Sequence, residues 1–284
     1  MARGGSAWDL AVAAAHRAEV ELVPVHGMDH AERIVRIVAE VWGPGDLSPA
    51  MVRAFEHAGS VLFAAVTRHR PGEFVGFVLG FAGLGDRLHV HSHMLAVLPG
   101  HESRGVGYAL KLAQRAACLD AGIDEVRWTY DPLVVRNGWF NLVKLGCTAD
   151  RLLVGFYGEM KDQINRGDRT DRFEVVWRLR SDRVERALAG DLHRPSTGEV
   201  ILEVEASGRT ARLLDGARPG AGAVVGVPVD HAELRARDPE LGMAWRTASA
   251  DAFGACFDAG LVATWVDRDG RYVFERVPPS EAVR

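Results

Sequence analysis

Two periods of apolar residues alternate along this chain. In HAERIVRIVAEVW, residues Ile34, Val35, Ile37, Val38, Val41 and Trp42 recur at helical spacing, and Gly-Pro-Gly at 43–45 ends the run. Ser48 and Pro49 cap and open a second helix through MVRAFEHA. An alanine-rich segment from Ser6 to Arg17 predicts an N-terminal helix, and Val20 to Val25 a short strand that Pro24 marks as an edge or an end. VLFAAVT (61–67) and FVGFVLGF (74–81) read as a hairpin turned at RHRPGE. LHVHSHMLAVL (88–98) is a long strand that runs into a glycine hinge, a helix from about Val106 to Ala121, and a strand DEVRWTY (124–130). A strand, a turn, a helix and a strand in succession predict that the two strands are parallel neighbours.

After Asp131-Pro132 the pattern predicts a short helix from about Asn137 to Leu145, stopped by Gly146, then strands near Leu152–Tyr157 and Phe173–Leu179. Residues 180–196 are charged, end in HRPSTG and read as a connector. Beyond them come GEVILEVEA, a glycine-rich stretch from Gly216 to Gly226, VVGVPVD and a helix from Pro239 to Ala259. A strand pair at Val262–Trp265 and Tyr272–Glu275, turned by Asp269-Gly270, closes the chain. No repeat of solenoid period is present.

With 48% hydrophobic and 25% charged residues the composition is that of an ordinary globular protein. A net charge of -4 and the absence of a Lys/Arg cluster argue against a nucleic-acid partner. Cys118, Cys147 and Cys256 lie far apart without CxxC spacing, so neither a disulfide framework nor a zinc knuckle is suggested and a reducing compartment fits. No stretch approaches the ~20 apolar residues of a membrane span. Together these features predict a cytoplasmic protein.

Gly105 and Gly107 stand at the strand-to-helix junction of HSHMLAVLPGHESRGVGYALK, where the unpaired N–H groups of a first helical turn can face an anion. The glycines equally permit a tight turn and close helix packing. The junction is not a dinucleotide fingerprint, because Ala109 and Leu110 stand where the third glycine would fall. It is not a P-loop either, since no GK[ST] is present.

LAVLP (95–99) followed by ESRGVG (102–107) resembles motif A of the GCN5-related N-acetyltransferase (GNAT) superfamily. Glu102 stands where that superfamily usually has Arg or Gln; a backbone cradle does not need that side chain, and Arg104 lies close by in sequence. The resemblance extends in element order over roughly residues 20–180. It is nearest to a branch of predicted acetyltransferases marked by SHM at 92–94, RWTYDPL at 127–133, FN at 140–141, FYG at 156–158 and the C-terminal pattern DPELGMAWR from Asp238. It implies an α/β fold (α+β by some schemes), a GNAT-like mixed central sheet flanked by helices with a C-terminal α+β extension. The segments are then an N-terminal helical piece (1–19), the acyltransferase domain (20–180) and the extension (181–284).

The implied activity is acyl-CoA-dependent N-acyl transfer, with acetyl-CoA the default donor and a small-molecule amine or amino acid the acceptor. Leu95, Ala96 and Val97 would offer strand backbone to the pantetheine arm, and Ser103, Arg104, Gly105, Val106, Gly107 and Tyr108 would wrap the pyrophosphate. Asn137 matches in type an asparagine that often contacts the coenzyme, at a shorter distance from Gly146 than the usual pattern. No metal is implied.

Transfer to an amine calls for a base and for a proton on the departing thiolate. His89, His91 and His93 alternate on the long strand and share one face, and a histidine there can titrate near neutral pH; hydrogen-bonded structural histidines are the alternative. Three such histidines invite a metal, but next-nearest strand residues sit about 6.6 to 7 Å apart. Leu142 occupies the place of the superfamily's usual tyrosine acid, which leaves water, Tyr157 or Tyr130, with Tyr157 favoured by its flanking glycines. Asp131, at a strand's carboxyl end, would hold an ammonium or simply start a turn. Trp42, Trp128 and Trp139 would wall an acceptor pocket or belong to the core. The alternatives are a non-catalytic coenzyme A binder or sensor, and an interaction protein whose extension forms a homodimer.

Overall fold

A computed structural model describes residues 6–45, 47–160, 166–196, 198–204 and 219–277, with 211–213 as backbone alone. The architecture is mixed α/β, and the described residues divide into two compact units, one up to Arg127 and one from Trp128.

The first unit opens with helix α1 (Ala7–Arg17), capped by a reciprocal Ser6–Asp9 box, then strand β1 (Val20–Pro24), helices α2 (Gly27–Trp42) and α3 (Pro49–His57), and strands β2 (Val61–Thr67), β3 (Phe74–Leu84) and β4 (Leu88–Val97). Ser48 caps α3 through the Met51 amide, with Pro49 just inside. Helix α4 (Val106–Asp120) and β5 (Glu125–Tyr130) follow, β5 crossing the division between the units. Strands β1 to β4 pair antiparallel in sequence order. β5 joins β4 in parallel at Val90↔Val126 and His91↔Arg127, as the strand-turn-helix-strand order predicts.

Ile34, Ile37 and Val38 of α2 and Val52 of α3 pack on Phe77, Leu79 and Ala96 of the sheet. Helix α4 is buried around much of its circumference, because α1 covers it as well as the sheet. Gly76 and Gly80 allow that approach: a Cβ at Gly80 would stand 2.8 Å from both Gln114 Nε2 and Val90 Cγ1.

In the second unit a short helix α5 (Val135–Gly138) continues as a π-helical turn (Trp139–Lys144) that Gly146 stops at φ +72°. Strands β6 (Thr148–Leu153) and β7 (Arg172–Arg178), helix α6 (Asp182–Ala189), strands β8 (Glu199–Val204), β9 (Ala211–Leu213) and β10 (Gly222–Gly226), helices α7 (His231–Arg237) and α8 (Pro239–Asp258), and strands β11 (Val262–Val266) and β12 (Arg271–Glu275) complete it. From β5 the strand order is β7-β6-β11-β12-β10-β8-β9. Its core is aromatic: Phe173 meets Tyr130, Phe253, Phe257, Tyr272 and Phe274 edge-on.

Several expectations are corrected. The strand expected at Leu152–Tyr157 ends at Leu153, because Gly155 and Gly158 at positive φ turn the chain. The connector at 180–196 contains α6, capped by Ser181 and closed by left-handed Gly190; Val184, Ala187 and Leu188 give it an apolar stripe of little more than one turn, too short to stand out among its charges. Helix α7 was not foreseen at all. The glycine-rich stretch from Gly216 lies partly outside the described residues, and its last five residues are strand β10. Among the described residues no helix is long and apolar enough to cross a membrane.

Candidate functional site

The hinge between β4 and α4 is built by backbone in conformations that side chains disfavour. Gly100 and Gly105 sit at φ +84° and +89°, and Ser103 at +60° although it is not glycine. Left-handed Gly105 is the N-cap of α4 and offers no side-chain cap. Neither protein side chain nor backbone accepts from the amides of Ser103, Arg104, Gly105, Val106 and Gly107 among the described hydrogen bonds. Ser103, Arg104 and Gly105 are exposed, Gly107 is half-buried, and only Val106 turns its side chain inward. Five consecutive free donors at the positive end of a helix form a site that a phosphate's oxygens fit.

The adjoining strand supplies the second element. Leu95, Ala96 and Val97 pair with Val78, Phe77 and Gly76 on one side, and no partner on the other side is among the described pairings. A Cβ on Gly107 would stand 3.7 Å from both Leu95 and Val97, so the first turn of α4 rests on that strand segment. Tyr108 turns toward α1: burial raises its phenol, and Arg17 and Arg115 partly offset the rise. Asn137 lies exposed on α5 in the second unit.

The three histidines differ. His89 is buried, its ring on Gly83 and its Nδ1 3.0 Å from the Arg87 carbonyl. A bulge follows: Leu79 pairs with Met94 and Gly80 with Ser92, leaving His93 as the extra residue. The His91 and His93 rings lie 5.4 and 5.6 Å from Phe81 and 6.1 Å from each other. Among the described residues neither imidazole has a hydrogen-bond or ion-pair partner. Burial, with His93, His89 and Lys111 adding like charge, lowers His91 to about 4. Burial lowers His93 as well. Beneath them buried Lys111 donates to Ser92 Oγ (2.8 Å) and Gln114 Oε1 (3.1 Å). Phe81, stacked on Phe55 of α3 at 5.5 Å, escaped the sequence reading because only the fold brings α3 to β3.

In the second unit Tyr130 is enclosed in the aromatic core, its hydroxyl 3.4 Å from that of Tyr272, and burial pushes its phenol well above the ordinary value. Tyr157 is 44% exposed on the turn after β6, 3.2 Å from Thr129 Oγ1 and under the Arg172 guanidinium. Leu142 is fully buried. Both oxygens of Asp131 are held by Arg246, at 2.6 and 2.8 Å, and one also accepts from the Leu133 amide. Arg246 in turn binds Asp168, which Arg235 also meets at 2.6 Å. Burial would raise the Asp168 carboxyl, but the Arg246 hydrogen bonds and charge prevail and lower it. This network was missed, although the Arg of DPELGMAWR was its visible half. The tryptophans have separate settings: Trp42 packs on the α2–α3 core, Trp128 meets Trp177 edge-on, and Trp139 lies against Lys144 and Arg268.

No family model and no curated protein matches the sequence. Similar solved structures include proteins described as acetyltransferases. The ribosomal-protein-S18-alanine N-acetyltransferase of Escherichia coli is 12% identical with a TM-score of 0.46, over 56% of this chain and 94% of that one. The protein yncA of Salmonella typhimurium, solved with its cofactor acetyl-CoA, is 14% identical with a TM-score of 0.46, over 57% and 95%. A Desulfovibrio desulfuricans protein described as of the GNAT family is 16% identical with a TM-score of 0.43, over 56% and 99%. Of these, the Desulfovibrio protein carries the GNAT name in its description.

Proposed function

We propose that this protein is an acyl-CoA-dependent N-acyltransferase that moves an acetyl group from acetyl-CoA to the primary amine of a small molecule or amino acid by direct attack in a ternary complex. The observation that carries the reading is the run of five acceptor-free amides from Ser103 to Gly107, opening α4 beside a strand segment paired on one side. Those amides would bind the pyrophosphate, with Tyr108 closing the loop, and Leu95, Ala96 and Val97 would pair with the pantetheine arm. The bound coenzyme supplies an activated thioester carbonyl. His93 and His91, neutral at physiological pH, are positioned on the same strand to take the proton that the amine loses. Tyr157, 44% exposed with its hydroxyl 3.2 Å from Thr129 Oγ1, is assigned the proton for the departing thiolate. Tyr130 and Asp131 are assigned positioning roles, because Tyr130 is enclosed in the core and both oxygens of Asp131 are held by Arg246. Asn137 remains a proposed coenzyme contact.

In this reading residues 20–180 form the acyltransferase domain, preceded by the helical piece 1–19 and followed by the extension 181–284. Cys118, Cys147 and Cys256 are buried thiols, which supports placement in a reducing cytoplasm. The second reading, a coenzyme A binder without turnover, is favoured by the buried Leu142 in place of a phenol.

Thermal unfolding with acetyl-CoA tests the site. A ligand at a hundred times its Kd should add about 2.7 kcal/mol of stability. Gly105→Ala, which must hold a Cβ at φ +89°, should bind less tightly. No shift for the wild-type protein sinks both readings. Thiol release on adding amines separates transfer from mere binding.

A further inference from the structure

The acyltransferase reading leaves the acceptor open, and the group around Phe81 in the first unit narrows it. Phe55 and Phe81 stack with planes 11° apart. The His91 and His93 rings lie 5.4 and 5.6 Å from that of Phe81, tilted to it by 40° and 51°. Phe55, Phe81 and His91 are half-buried and His93 is exposed, so the group is reachable from solvent. The same strand carries Leu95, about 7 Å beyond His93.

Charge decides what fits there. Neither imidazole meets a carboxylate among the described residues, and of the groups that act on His91 the imidazoles of His93 and His89 can carry only positive charge or none, while Lys111 is a cation. A cationic ammonium brought here would lose water, gain no counter-ion and face buried Lys111 under the strand. A phenyl ring's attraction for a cation is weak compensation. Proton transfer points the same way: an imidazole held at about 4 is a poor acceptor for an alkylammonium, whose ordinary value is ~10.4. A free amine on an aromatic ring brings no charge to desolvate and a planar face to stack.

We propose that the acceptor is an aromatic amine that is uncharged at physiological pH, its ring against Phe81 and Phe55 and its nitrogen turned to His91 and His93. This rests on the acyltransferase reading. In the reaction the nitrogen lone pair attacks the thioester carbonyl of the acyl donor, the C–N bond forms as the C–S bond breaks, the N–H proton passes to an unprotonated imidazole nitrogen, and the sulfur leaves as thiolate.

The test uses the full chain with isotopically labelled histidine, its resonances assigned with His91→Gln and His93→Gln. Aniline and benzylamine carry the same ring, and at pH 7.5 only benzylamine is charged. Aniline should shift the His91 and His93 resonances, and Phe81→Leu should weaken its apparent affinity about tenfold, from the loss of ring stacking. Benzylamine should shift them far less at equal concentration. Equal or stronger shifts with benzylamine, or none with aniline, overturn the proposal. Thermal shift with acetyl-CoA on the same sample reads the α4 hinge separately: its loss overturns acyl transfer, whereas its presence without an aniline response overturns the acceptor class alone.

Discussion

The imidazole of His91 gives the protein an acid-sensitive step. Its folded value of about 4 lies below the 6.5 of a free histidine, so between those pH values the unfolded chain binds a proton that the folded one refuses. Stability therefore falls as pH drops from about 6.5 to about 4 and is indifferent to this group above that window. His91→Gln should flatten the Tm against pH curve there, and an unchanged slope would show that the ring is not held neutral. Gly138 makes a second prediction. A Cβ there would lie 2.3 Å from the hydroxyl of Tyr272, which itself donates to the Pro132 carbonyl at 2.8 Å. Gly138→Ala should cost about 1–3 kcal/mol by overpacking. Adding Tyr272→Phe should recover part of that loss, because the colliding oxygen is gone, so the double variant in urea melts should beat the sum of the singles. Both residues were plain in the sequence, but neither their crowding nor the dry surroundings of His91 could be read there.

Among the elements, α8 shows how a sequence pattern acquires a physical reason. In DPELGMAWR, Asp238 caps the helix through the Leu241 amide and Pro239 opens it; Trp245 is buried; Arg246 ties the end of β5 to the loop before β7 through Asp131 and Asp168. Arg246→Met should leave two carboxylates short of their partner and cost about 3–5 kcal/mol, with Arg246→Lys recovering little because an ammonium cannot form both bidentate pairs. A melting curve unchanged in Arg246→Met would mean that the network is dispensable. The helix itself was legible from its cap and proline. The partners of its arginine were not, because they lie 115 and 78 residues away. Helix α6 failed for the opposite reason: its cap was present, but Val184, Ala187 and Leu188 span little more than one turn, and buried Arg183, donating to the Leu142 and Thr264 carbonyls, looks like surface charge in the sequence.

For the molecule as a whole, coenzyme binding should show as local protection. On adding acetyl-CoA, amide exchange should slow in residues 94–108, where strand edge and helix start offer free donors, and stay unchanged in the aromatic core around Phe173. Protection elsewhere without protection at 103–107 would remove the hinge from the site. The order of helices and strands in the first unit, the hairpin, the parallel β4–β5 pair and the glycine hinge were determined by the sequence alone. Each depends on neighbours a few residues apart: a period, a cap, or a glycine free to take positive φ. The tertiary structure alone decided which distant side chains meet: Phe55 with Phe81 and the two histidines, and Arg246 with Asp131 and Asp168. Such meetings follow from strand order, register and the bulge at His93, and burial then set the charges of the groups brought together.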